Sequence, residues 1–174
     1  MALTKVRGLG LGTLDDNLTF STAGKGVHLG VTSATSSNLL DDYEEGTFTP
    51  VLNFGGSTTG ISYNAQVGQY TKIGDRVYLD IKIHLSSDGG GASSGNATIT
   101  GIPFTTNSNN QYTASIYNDR VASTLGGPQI YNNGGDTTIQ LFEMDDDRTN
   151  NAAIQNSEFT NTGFILIGMH YRTA

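Results

Sequence analysis

The sequence has no cysteine, no tryptophan and only 3 prolines, and its 9 basic residues are outnumbered by 16 acidic ones among 174. Without cysteine there can be no disulfides, thiolate metal sites or cysteine nucleophiles. A net charge of −7 disfavours a phosphate backbone or an anionic membrane as the main partner. Long apolar runs are missing too: Gly8, Gly10 and Gly12 break up the amino terminus, which leaves no secretory core, and no stretch reaches the length of a membrane helix. A soluble product assembled in a cytoplasm is therefore expected. Charged residues make up only 14%, while 8 tyrosines and 7 phenylalanines supply aromatic mass, so the chain is not of the disordered kind. What remains is one domain's worth of sequence, rich in glycine and uncharged polar residues, the composition of strands joined by turns.

Two zones follow along the chain. Residues 1–45 read as an extended amino-terminal arm ending in an acidic hinge at Asp41, Asp42, Glu44 and Glu45. Apolar residues alternate with small or polar ones in residues 8–14 and 24–31, in pieces too short and glycine-rich to hold a strand without a neighbour. Such an arm gains order by lying on another chain, which makes Leu3, Val6, Leu9, Leu11, Leu14, Val27 and Leu29 the candidate partner-binding residues.

Residues 46–174 read as a body of short strands. In residues 77–85, Val77, Leu79, Ile81, Ile83 and Leu85 alternate with Tyr78, Asp80, Lys82 and His84, the pattern of a half-buried strand. Residues 164–171 are apolar on both faces, as expected of a strand covered on both sides or meeting a partner chain. Further strands are expected at 48–54, 68–73, 97–102, 111–117, 129–131 and 137–142, with glycine-, serine- and asparagine-rich turns between them. Residues 152–159 are expected to form one or two helical turns capped by Asn150 or Asn151. The fold class is all-β: an antiparallel β-sandwich or jelly-roll body behind an extended arm.

Motifs with chemistry are few. Gly91-Ala92-Ser93-Ser94-Gly95 matches the G-x-S-x-G pattern of serine hydrolases, but that elbow needs a strand before it and a helix after it, and here a strand follows. Gly24-Lys25-Gly26 lacks the upstream glycine and the Ser or Thr of a phosphate loop. His28, His84 and His170 share no ligand spacing, and Asp145-Asp146-Asp147 lacks the spaced ligands of a calcium loop. No catalytic residue, metal or cofactor is assigned. Tyr112, Tyr117 and Tyr131, set among asparagines, are candidates for a glycan-binding surface, since aromatic faces and amide donors suit sugars.

The run Leu39-Leu40-Asp41-Asp42-Tyr43-Glu44-Glu45-Gly46-Thr47-Phe48-Thr49-Pro50 resembles the start of a small β domain found in virion exterior proteins of tailed bacteriophages, both capsid-decoration or head-fibre proteins and tail fibres. Gly68-Gln69-Tyr70-Thr71-Lys72-Ile73-Gly74-Asp75-Arg76-Val77-Tyr78 looks like a hairpin of the same domain, with Ile102-Pro103-Phe104 and the strand ending in Tyr171 as further landmarks. Phe48 stands where tryptophan is expected. The resemblance implies a homotrimeric virion protein on the particle's exterior and does not say which part of the virion; with no catalytic residue assigned, it is expected to be non-enzymatic. The glycine-leucine arm directly before the body, with no long shaft between them, points to a capsid decoration (cement) or head-fibre protein, anchored through its arm to the major capsid protein or other virion proteins and resisting internal pressure. The alternative is a short tail fibre or fibre tip that binds a host surface glycan.

Overall fold

The computed structural model describes residues 19–122, 127–144 and 149–174. Leu3, Val6, Leu9, Leu11 and Leu14 of the proposed arm, and Asp145-Asp146-Asp147, lie outside the described residues. Contacts divide the chain into Met1–Asp42 and Tyr43–Ala174.

Within the first unit, β1 (Val27–His28) pairs antiparallel with β2 (Leu39–Leu40), and a 3-10 turn at Ser36–Asn38 precedes β2. The Leu29 N–H donates to the Asn38 carbonyl at 3.0 Å, and the Asn38 side chain donates back to the Leu29 carbonyl at 3.2 Å. Gly26 is required here, because a Cβ would sit 1.9 Å from the Leu40 carbonyl oxygen. Phe20, Val27, Leu29 and Leu40 are all exposed.

The second unit is built from β3 (Tyr43–Phe48), β4 (Val51–Phe54), β5 (Ile61–Ile73), β6 (Arg76–Asp88), β7 (Ala97–Thr100), β8 (Tyr112–Val121), β9 (Gln129–Asn132), β10 (Ile139–Met144), β11 (Asn151–Ala153) and β12 (Phe159–Arg172). They form a ten-stranded sheet in the order β3-β5-β6-β12-β8-β9-β10-β7-β4, with β11 added to β10, and every pairing is antiparallel. The two ends of that order, β3 and β4, are consecutive in the chain and separated only by Thr49 and Pro50. The sheet must therefore curl over until its edges meet, which makes one sheet into two facing layers. Side chains complete the closure: Gln66 Nε2 donates to the Pro50 carbonyl at 2.9 Å, and the Tyr63 hydroxyl lies 3.2 Å from both the N and O of Leu52.

This geometry divides residues 48–54, expected as a single strand, into two. Pro50 has no N–H to offer a ladder, and the chain leaves one sheet edge there to begin the other. The core lies between the layers. Val77, Leu79, Ile81, Ile83 and Leu85 of β6, with Ile165, Ile167, Met169 and Tyr171 of β12, face Leu52, Phe54, Ala97, Ile99, Ile139 and Leu141 from the other layer, and all are buried. Each large apolar side chain so buried contributes roughly 1.5–3 kcal/mol.

Residues 152–159 do not form the expected helix. β11 pairs with β10, Ile154 is fully buried with its N–H donated to the Leu141 carbonyl at 3.0 Å, and only Asn156–Glu158 makes a single 3-10 turn. The Glu158 carboxylate accepts from the Gln155 N–H at 2.7 Å. Burial of Ile154 and strand pairing of its neighbours override the local helical propensity of the alanines.

Candidate functional site

Ser93, the centre of the G-x-S-x-G match, is buried in the turn region before β7. Its hydroxyl donates to the Thr59 carbonyl at 2.9 Å and lies 3.1 Å from the Ser57 hydroxyl. This is a turn-fastening serine with no strand-to-helix elbow around it. Gly26 serves the close approach to Leu40 of β2, and Gly24 takes a positive φ of +71° in the turn before β1. His84 stacks edge-on against Phe164 with centroids 5.5 Å apart, and His170 lies 6.1 Å from the Tyr78 ring. Among the described residues no three His, Asp or Glu side chains gather as a metal site, and no helix is long and apolar enough to cross a membrane.

The acidic run is split by the fold: Asp41 and Asp42 precede the body, whereas Glu44 and Glu45 belong to β3. The Tyr70 hydroxyl donates to the Glu44 carboxylate and the Tyr43 hydroxyl to that of Glu45. Both phenols are thereby held above their ordinary pKa, chiefly by these hydrogen bonds.

The three candidate glycan tyrosines do not converge. Tyr112 turns inward, half-buried, with its ring 6.0 Å from that of Tyr171 and its hydroxyl toward the Arg172 carbonyl. Tyr117, five positions along the same strand and so of opposite parity, faces outward and is 59% exposed. Tyr131 also faces outward, but on β9, where its ring meets Phe142 edge-on at 6.0 Å. Thr113, Gln129 and Asn151 complete a cleft of about 200 Å³ around that aromatic pair. The Tyr131 hydroxyl donates to Asn133 at 2.9 Å. Phe142 carries no sequence signal of its own, because it becomes a neighbour of Tyr131 only through the β9–β10 register.

A second outward surface covers the layer β3-β5-β6-β12-β8. Register places Val67, Lys82, Leu166 and Tyr117 side by side across four strands, with Gln69, Asp80, Gly168 and Ser115 in the next row. Because Gly168 has no side chain and nothing lies within 4 Å of where one would be, that second row sinks into a groove of about 520 Å³. The Lys82 ammonium sits 5.9 Å from the Phe164 ring centroid. The carboxyl-terminal strand expected to be apolar on both faces is thus covered on one face among the described residues: Ile165, Ile167 and Met169 are buried, and Leu166 is open.

No protein-family model matches the sequence, and no curated protein matches it. Among solved structures, the chain is similar to the crystal structure of the Dettilon tailspike protein, with a TM-score of 0.62 at 20% identity. The match covers 76% of this chain and 24% of that one, so the chain spans about a quarter of the tailspike's length. At that identity the likeness is one of fold: this all-β chain shares the fold of a segment of a phage tailspike.

Proposed function

We propose that this chain is a structural module of the exterior of a tailed-phage virion, of the fibre or tailspike kind, assembling as a homotrimer and presenting its outward surfaces to the host. The observation that carries this reading is the tailspike-like fold over 76% of the chain, together with the sequence resemblance to phage exterior domains carried by residues 39–50 and 68–78. The role is recognition and assembly rather than catalysis; the one nucleophile pattern is tied into a turn at Ser93. The cleft of Tyr131, Phe142, Gln129 and Asn151 supplies an aromatic face beside amide donors, a chemistry suited to a host surface saccharide.

Labelling of intact particles tests the location. Antibody density at the tail tip, and a handful of copies per particle, is expected. A purified Tyr131→Ala protein is expected to lose retention on host cells or host polysaccharide while remaining folded; undiminished retention would remove the saccharide part of the reading.

A capsid decoration or head-fibre role is the second reading, favoured by the exposed Val27 and Leu29 of the first unit, which are free to lie on a capsid surface. It predicts hundreds of copies per particle and label over the head. Loss of capsid binding on deletion of residues 2–14 would support it, and label confined to the tail would end it.

A further inference from the structure

Six large hydrophobic side chains of the body are exposed among the described residues: Tyr43, Val67, Ile73, Tyr78, Tyr117 and Leu166. Register puts all six on one side of one layer. Tyr43 pairs with Ile73, Val67 with Lys82, Lys82 with Leu166, and Leu166 with Tyr117, while Tyr78 lies two positions from Asp80 on the same side of β6. Singly scattered exposed hydrophobes need no explanation; here Tyr43, Ile73 and Tyr78 on one side of the row Gln69, Asp80, Gly168 and Ser115, and Val67, Leu166 and Tyr117 on the other, are confined to one face, and such confinement marks an interaction surface.

We propose that this outward face of β3-β5-β6-β12-β8 is the surface through which copies of the chain pack against one another. The inference deepens the assembly part of the reading above, and rests on it for the identity of the partner.

Three features favour a second copy as the occupant. The first is charge. The chain carries −7 overall, yet the middle of this face holds Lys82 beside Asp80, both exposed, on adjacent outward positions of β6. With one charge of each sign at its centre the face is locally neutral, so a neighbouring copy in the trimer can approach it without a net like-charge penalty. A strongly cationic or strongly anionic partner would instead meet a like charge at the centre, which costs affinity. The second is size. β5, β6 and β12, about 4.8 Å apart and paired over roughly 30 Å, together with β3 and β8, each paired over roughly 20 Å, present about 600 Å² in projection, at the lower end of the roughly 600–1,000 Å² per partner of stable interfaces. The third is relief. The groove at Gly168 lies directly beside the Val67, Leu166 and Tyr117 ridge, so a copy offset by one row can seat its ridge in the groove.

Sedimentation of the full chain at tens of micromolar tests this. The wild-type protein is expected to run as an oligomer, and Leu166→Glu as a folded monomer with at least a 100-fold weaker association constant. Because Leu166 is open, the variant should keep the wild-type circular dichroism spectrum. Should it not fold, cross-linking decides. The chain has no cysteine, so Leu166→Cys introduces a single thiol, and a short bismaleimide should join copies through it but not through Thr58→Cys in the turn after β4. A monomeric wild type, an oligomer that survives Leu166→Glu, or no cross-link at position 166 each overturns the assignment. These outcomes are independent of particle labelling, so the interface can fail while the virion location stands, and the reverse.

Discussion

Asn132 is fully buried, yet both ends of its amide are satisfied. Its oxygen accepts from the Thr106 hydroxyl at 2.9 Å and the Gly134 N–H at 2.8 Å, while its nitrogen donates to the Thr138 carbonyl at 2.7 Å and the Asp136 carboxylate at 3.0 Å. Removing the amide takes one hydrogen bond each from Thr106, Gly134, Asp136 and Thr138 at a fully buried site, each worth about 0.5–1.5 kcal/mol. Asn132→Ala should therefore lower the unfolding free energy by at least about 2 kcal/mol, with the denaturant slope unchanged, as urea titration will read. Tyr171 also has a buried polar end: its hydroxyl donates to the Phe104 carbonyl at 2.9 Å, and burial holds its pKa well above the ordinary value near 10. A phenol whose folded pKa is raised contributes stability that is complete below pH 10 and is lost as pH climbs beyond it. Tyr171→Phe should cost about 1 kcal/mol at neutral pH through the lost hydrogen bond, but flatten the decline in stability above pH 10. An alkaline limb identical to wild type would contradict that account.

At the scale of elements, β3 and β5 show how the aromatic anchors work. Phe48 pairs with Gly68 and Gly46 with Tyr70, and each ring lies over the opposite glycine: a Cβ on Gly68 would come within 2.6 Å of the Phe48 ring, and one on Gly46 within 2.6 Å of the Tyr70 hydroxyl. The glycines in the Gly46-Thr47-Phe48 and Gly68-Gln69-Tyr70 runs are thus seats for rings. Gly68→Ala should destabilise the body by about 1–3 kcal/mol, the usual cost of overpacking. Gly168→Ala, on a strand of the same layer but with open space around it within the chain, should change thermal stability by no more than a few degrees when both glycine variants are made in the Leu166→Glu background, where no neighbouring copy fills the groove. Similar melting temperatures for the two variants would refute the ring-seat explanation. The Gly74-Asp75 turn is a two-residue hairpin connection, with Gly74 at φ +58°, and was legible from sequence because turn chemistry is local. The division of residues 48–54 was not legible, because both halves have strand-like composition and only the closing of the sheet sends them to opposite edges. The helix expected at 152–159 gives way for a similar reason: the partner that makes residues 151–153 a strand is β10, and local sequence carries no record of it.

For the whole molecule, every buried hydrophobic residue among those described lies beyond Tyr43, and the division of contacts falls after Asp42. Residues 43–174 expressed alone should therefore fold, with a melting temperature within a few degrees of the full chain. A drop of more than about 10 °C would mean that the first unit supports the core. The all-β class, the inward-facing residues of β6 and the lack of cysteine chemistry are legible in the residues alone, because period-two alternation and composition are local properties. Composition also puts Tyr112, Tyr117 and Tyr131 among candidate binding residues, but not which way they point. That Tyr112 packs half-buried against the core, that Tyr131 meets Phe142, and that Val67, Tyr78, Tyr117 and Leu166 share one open face emerges in the folded chain. Those facts depend on strand order and register, which are set by which distant segments pair when the sheet curls closed, and no window of sequence contains that pairing.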